Sequence, residues 1–164
     1  MSDISSSATA GVIAPPPLIA LATLLIGLAL DWLLPAYVLG ILLSLHERIF
    51  IGVILAVAGA ALAVAGERAF RSVGTEVRPW KPSARLATDG VYTWIRNPMY
   101  VGLGLLVGGI GVALASDWTL VMLVPAAFVI HYGVVLREER YLEAKFGGDY
   151  RAFKAAVPRY GWPL

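Results

Sequence analysis

The sequence predicts an all-α polytopic membrane bundle of about four transmembrane helices, and three observations carry that prediction. The chain of 164 residues is 59% hydrophobic and 15% charged, with a mean hydropathy of +0.75. That composition excludes a disordered chain and points to a membrane protein of one domain. The apolar residues fall into four runs, each near the roughly 20 residues that cross a hydrocarbon core about 30 Å thick. The basic residues then divide unevenly between the loops those runs define.

Taken in order, residues 1–14 form the expected flexible tail, the first dozen of them polar and small. They contain no Lys or Arg, so they lack the basic region of a secretory signal. Pro15, Pro16 and Pro17 suit the start of a helix, where a missing N–H costs little. The first apolar run goes from about Pro16 to Leu34, with Asp31 expected at the membrane interface. Residues 36–45 are too few to span and read as an interfacial connection. The second run, about Ile49 to Gly66, repeats Gly52, Ala56 and Ala60 every four residues, a spacing that allows close helix approach. A polar stretch of about 30 residues, 67–96, is too long for an idle loop. Its Pro79-Trp80-Lys81-Pro82 segment is held extended by its prolines.

The third run, about Pro98 to Ala115, carries Gly104 and Gly108 as a packing face. A turn at Ser116-Asp117-Trp118 joins it to the fourth run, predicting an antiparallel hairpin. The fourth run starts near Thr119, contains Pro125 as a kink, and ends at Arg137-Glu138-Glu139-Arg140. A mixed polar and aromatic tail follows.

Four spans put the N-terminus, the 67–96 loop and the tail on one side. That side holds Arg68, Arg71, Arg78, Lys81, Arg85, Arg96, Arg137, Arg140, Lys145, Arg151, Lys154 and Arg159, whereas only Arg48 lies opposite. The asymmetry predicts cytoplasmic termini and a cytoplasmic long loop. The expected location is a bacterial or archaeal inner membrane.

The same side gathers the residues with chemical potential. The helix after Asn97-Pro98 opens with free N–H groups able to meet an anion. Glu138 and Glu139 are adjacent, so they cannot share a helix face: one points into the bundle and one toward basic neighbours. His131, seven residues before Glu138, falls on roughly the same face. Cysteine is absent and the two histidines are far apart, which leaves no basis for a metal site. No phosphate-binding loop, Ser-His-Asp pattern or nucleic-acid signature is present. The residues alone describe a polar, cytosol-facing pocket built from the 67–97 loop, helix ends and the tail.

At this point a resemblance becomes specific. The run LATDGVYTWIRNPMYVG resembles the signature of the isoprenylcysteine carboxyl methyltransferase family. The downstream pattern is matched by Glu138-Glu139, Leu142, Phe146-Gly147, Tyr150, Phe153 and Val157-Pro158-Arg159. The resemblance covers a motif-bearing region of about 74–163. The related phospholipid N-methyltransferases share the paired glutamates and a GxG, here Gly102-Leu103-Gly104.

The resemblance implies S-adenosyl-L-methionine as cofactor, held by Ala84, Arg85, Leu86, Ala87, Tyr92, Asn97, Pro98, Met99, Tyr100 and Glu138. Glu138, Glu139, His131 and Arg137 are the expected catalytic residues. The expected partner is a lipophilic small molecule or lipid drawn from the bilayer, amid membrane lipids, with no nucleic acid. Carboxyl O-methylation of an isoprenylcysteine-like acceptor is the favoured reaction. Phospholipid N-methylation is the alternative, and a non-catalytic small membrane protein is the alternative of another class. Two positions depart from the pattern: Asn97 replaces the histidine before the proline, and Val134 replaces an arginine that contacts the substrate carboxylate in prenylcysteine enzymes.

Overall fold

In the computed structural model, which describes residues 10–72, 74 and 86–161, the chain is a helical bundle without strands among the described residues. Helix α1 spans Pro16–Leu33, α2 Val38–Leu42, α3 Leu45–Ser72 and α4 Pro98–Leu114. Helix α5 spans Asp117–Ile130 and runs through a π turn, His131–Val135, into α6, Leu136–Phe146. Helix α7, Gly148–Ala156, lies beyond Gly147. Three helical stretches, Pro16–Leu33, Leu45–Ser72 and Asp117–Phe146, are long and apolar enough to cross a membrane, and Pro98–Leu114 is a shorter apolar helix.

Several boundaries move from those expected. Helix α3 starts at Leu45, four residues before the apolar run, because Ser44 and Glu47 form a reciprocal cap. The Ser44 N–H donates to Glu47 Oε2 at 2.8 Å, and the Glu47 N–H returns to Ser44 Oγ at 3.4 Å. At its other end α3 continues through Ser72, with Arg71 paired to Glu67 one turn earlier, so six residues of the expected loop are helical. Pro79-Trp80-Lys81-Pro82 lies outside the described residues. The expected turn at 116–118 shrinks to Ala115 and Ser116, and Ser116 caps α5 by accepting from the Thr119 N–H.

Small residues set the α3–α4 contact. A Cβ on Gly59 would lie 2.5 Å from the Gly102 carbonyl oxygen, and one on Gly109 would lie 2.5 Å from the Ala56 nitrogen. The row facing α4 runs Gly52, Ala56, Gly59, Ala63, Gly66, so alternate steps of four and three replace the simple repeat of four. Gly104 differs from its expected packing role: a Cβ there would meet nothing within 4 Å. Helix α1 packs on α5 and α4.

At the end of the bundle where α1 meets the α4–α5 turn, Asp31 accepts hydrogen bonds from Ser116 Oγ and from the Trp118 N–H. Asp117 accepts from the Val38 and Leu39 N–H groups at 2.9 and 3.0 Å, which caps α2 from a distant helix. Of the expected N-terminal tail, residues 10–14 lie against the π turn. The Ile13 N–H donates to the Gly133 carbonyl at 3.2 Å, and Arg137 donates to the Gly11 carbonyl at 2.8 Å.

Candidate active site

The site forms at the opposite end, where the segment before α4 meets α6 and the chain after α7. Gly90, at φ +62°, turns the backbone into a short 3-10 helix, Gly90–Thr93. That turn drives Tyr92 inward, edge-on to Phe70 of α3 at 5.2 Å between ring centroids. Tyr92 is only 3% exposed, and its hydroxyl has no hydrogen-bond partner among the described residues. Burial, and next the nearby charge of Glu138, hold its proton well above the ordinary tyrosine range.

One turn into α4, Tyr100 donates its hydroxyl to Glu138, 2.7 Å from Oε1 and 2.8 Å from Oε2. Glu139 faces another way. Arg96 donates to its Oε1 at 2.8 Å, and Arg159 donates through Nε to Oε1 and through Nη2 to Oε2, each at 2.8 Å. The two glutamates therefore face different partners, as expected of adjacent helical residues, but Glu139, toward the basic neighbours, is the more buried of the two. Glu139 and Arg96 are almost fully buried, with side chains 7% and 8% exposed. The hydrogen bond to Glu139 raises the Arg159 guanidinium further above its already high range.

Further ties hold the chain after α7 in place. The Arg96 N–H donates to the Pro158 carbonyl at 3.0 Å, and Asn97 Nδ2 donates to the Arg159 carbonyl at 3.2 Å. Asn97 thus serves as a strut, and its side chain does not cap α4. The first N–H groups of α4, at Met99 and Tyr100, receive no side-chain cap from it.

An apolar cavity of about 500 Å³ adjoins this cluster between α1, α4 and α5. Ile19, Val107 and Leu123 are among its apolar walls, and Gly104 leaves room in it. Its polar residues include Tyr100, His131 and Tyr160. His131 Nδ1 lies 2.8 Å from the Tyr160 hydroxyl. Tyr100 is the link: it lines the cavity and also holds Glu138.

Of the residues singled out in the sequence, Tyr92, Asn97, Pro98, Tyr100, Glu138, Glu139 and His131 gather around this region; Ala87 is buried and Leu86 half-buried, and half-buried Met99 lies against Gly66 of α3. Ala84 and Arg85 lie outside the described residues. Arg137 is not brought in: it is exposed and bonded to Gly11. Sequence reasoning missed Arg159 and Tyr160 as site residues. Arg159 stood within the Val157-Pro158-Arg159 motif, whereas Tyr160 had no motif to mark it. No group of His, Asp and Glu among the described residues could hold a metal ion.

Comparison with known families gives a match: the family model described as phospholipid methyltransferase aligns with residues 47–149, more than half of the chain. The matched range contains Arg96, Asn97, Tyr100 and both glutamates, and it stops short of Arg159 and Tyr160. No curated protein and no solved structure matches the chain.

Proposed function

The chain belongs to the phospholipid methyltransferase family, and from that premise we propose that it transfers a methyl group from S-adenosyl-L-methionine to the polar head of a lipid-like acceptor. One observation carries the reading: Tyr100 is at once a wall of the apolar cavity and the donor to Glu138. A single side chain thus joins a lipophilic compartment to a buried polar one.

The polar groups around Tyr100 support S-adenosyl-L-methionine as the methyl donor. The buried, unpartnered Tyr92 hydroxyl and the Glu138 carboxylate can meet its hydroxyl and ammonium groups. The uncapped N–H groups of Met99 and Tyr100, behind Pro98 and Asn97, can meet its carboxylate. Leu86 and Ala87 would border the same compartment, with Ala84 and Arg85 preceding them in sequence. When bound, the cofactor supplies an electrophilic methyl group on a sulfonium.

The residues of this chain do the rest. The apolar walls exclude water and align the acceptor. No Lys or Arg lines the cavity among the described residues, and Arg96 and Arg159 are committed to Glu139. A carboxylate head there would lack a counter-charge, whereas the aromatic rings of Tyr100, Tyr132, Tyr160 and Phe128 in the lining suit an ammonium. An ammonium must lose a proton before its nitrogen can attack, and His131 on the cavity wall is the group to take it. These features favour N-methylation of an amine-bearing lipid. Carboxyl O-methylation of an isoprenylcysteine-like acceptor is the second reading, favoured by the two long motifs. The site faces the cytoplasm on this reading, in keeping with the twelve basic residues assigned to its side.

Isothermal calorimetry with S-adenosyl-L-methionine on purified protein tests the cofactor. We expect saturable binding that Glu138→Ala and Tyr100→Ala weaken strongly; a wild type that binds none overturns the proposal. Membranes incubated with labelled cofactor then separate the acceptors, because N-methyl label resists alkali and carboxyl ester label does not.

A further inference from the structure

Tyr160 lies eleven residues past the family match, yet it enters the cavity beside His131. Its placement is strongly determined. Arg159 is fixed to both oxygens of Glu139, its carbonyl takes a hydrogen bond from Asn97, and the Pro158 carbonyl takes one from the Arg96 N–H. Gly161, at φ +91°, then turns the backbone away through a conformation that side-chain-bearing residues rarely adopt. Three ties and a turn therefore deliver one phenol to one imidazole.

An imidazole has two ring nitrogens, and the hydrogen bond made by one decides what the other can do. Where Nδ1–H donates to an oxygen, Nε2 is left as an acceptor. Where Nδ1 accepts, Nε2 carries the hydrogen and cannot take a proton. Resting on the methyl-transfer reading above, we infer that Tyr160 is a positioning residue: it accepts the Nδ1–H of His131 and so keeps Nε2 free to deprotonate the acceptor. In that step the N–H bond of the acceptor ammonium breaks and its electron pair stays on nitrogen. The proton goes to Nε2, giving an imidazolium that the Tyr160 oxygen continues to hold through Nδ1–H.

Two further observations agree. Burial pushes the Tyr160 hydroxyl up to about 12, so it stays a neutral phenol whose oxygen can accept a hydrogen bond. The Tyr132 ring stands edge-on to His131 at 4.7 Å, which restricts rotation of the imidazole.

The chain has only two histidines, so a His46→Gln background leaves His131 as the single imidazole for ¹⁵N nuclear magnetic resonance of the full chain in micelles. We expect the Nδ1–H tautomer in that protein and its loss in Tyr160→Phe. We also expect kcat to fall by up to about 100-fold, the low end of what a positioned base contributes, with the KM for S-adenosyl-L-methionine unchanged. An Nε2–H tautomer at neutral pH, or a tautomer that Tyr160→Phe leaves unaltered, overturns the inference. The resonance measurement does not depend on turnover. An Nδ1–H tautomer lost in Tyr160→Phe, in a chain that transfers no methyl group, would overturn the methyl-transfer reading while leaving the Tyr160–His131 relationship standing.

Discussion

Arg159 meets Glu139 through two parallel hydrogen bonds, Nε to Oε1 and Nη2 to Oε2, both 2.8 Å long. The pairing fixes the chain after α7 to α6, and Arg96 completes it from the segment before α4. Glu139 is thus the common anchor for two parts of the chain 63 positions apart, Arg96 and Arg159.

Glu139→Ala leaves Arg96 buried without its counter-ion. Removing one partner of a buried pair costs about 3–5 kcal/mol. Denaturation in detergent is expected to register a loss of that order, larger than for Arg159→Ala, because Arg159 is the more exposed partner.

Tyr100→Phe keeps the ring that walls the cavity and removes the donor to Glu138. A hydrogen bond to a charged group contributes about 1.5–3 kcal/mol. Affinity for S-adenosyl-L-methionine is expected to fall as Glu138 loses the donor that orients it, and the melting temperature is expected to drop with a stability loss of that order. Calorimetry on the purified variant reads the first and a thermal scan the second.

Gly59 and Gly104 should respond oppositely to added side chains. Gly59→Leu places atoms where the Gly102 carbonyl already stands, and such overpacking costs about 1–3 kcal/mol or more. Gly104→Leu meets open space and fills the cavity, so stability is expected to hold while methyl transfer to long-chain acceptors drops. Thermal melts and acceptor titrations on the two variants make the comparison.

Alkali should destabilise the fold through Tyr150 and Tyr160. Burial, reinforced by the Glu139 charge, pushes each up to about 12 from the ordinary 10.0. A group whose folded pKa lies above its unfolded value contributes stability that is complete below the unfolded pKa. That contribution is lost as pH rises from about 10 to about 12. Unfolding followed across this window should show the loss, and Tyr150→Phe should flatten it.

Asp117→Ala removes the acceptor for the Val38 and Leu39 N–H groups and should cost about 1 kcal/mol, as a lost cap does. Cofactor binding should be untouched, since Asp117 lies at the far end of the bundle.

The helices were legible because apolar run length depends on the bilayer and not on tertiary contacts. Pro16 and Pro98 marked two helix starts, since proline is tolerated there and almost nowhere else in a helix. The Ser44–Glu47 cap was just as local, yet it was passed over because the apolar run began later. Gly104 misled for a different reason. A four-residue repeat of glycine signals close approach, but which row meets the neighbour depends on how two helices cross, and α3 meets the row containing Gly102 and Gly109. The split between Glu138 and Glu139 followed from helix geometry alone. Their partners did not, because Tyr100 and Arg159 reach them across long sequence separations. Tyr160 was invisible for the same reason: only the folding of the C-terminal segment onto Arg96 and Asn97 carries it to His131.

The Glu139 anchor also bears on the order in which the protein can be assembled. Synthesis runs from the N-terminus, so α1 through α4 are made, and can begin to enter the bilayer, before Arg159 is. Until the C-terminal segment docks, Glu139 has Arg96 as its remaining arginine partner at this anchor, and the cavity lacks Tyr160 as one of its polar walls. Insertion and site completion thus rest on different parts of the sequence. The first is driven by apolar length, and the second waits for one arginine to arrive.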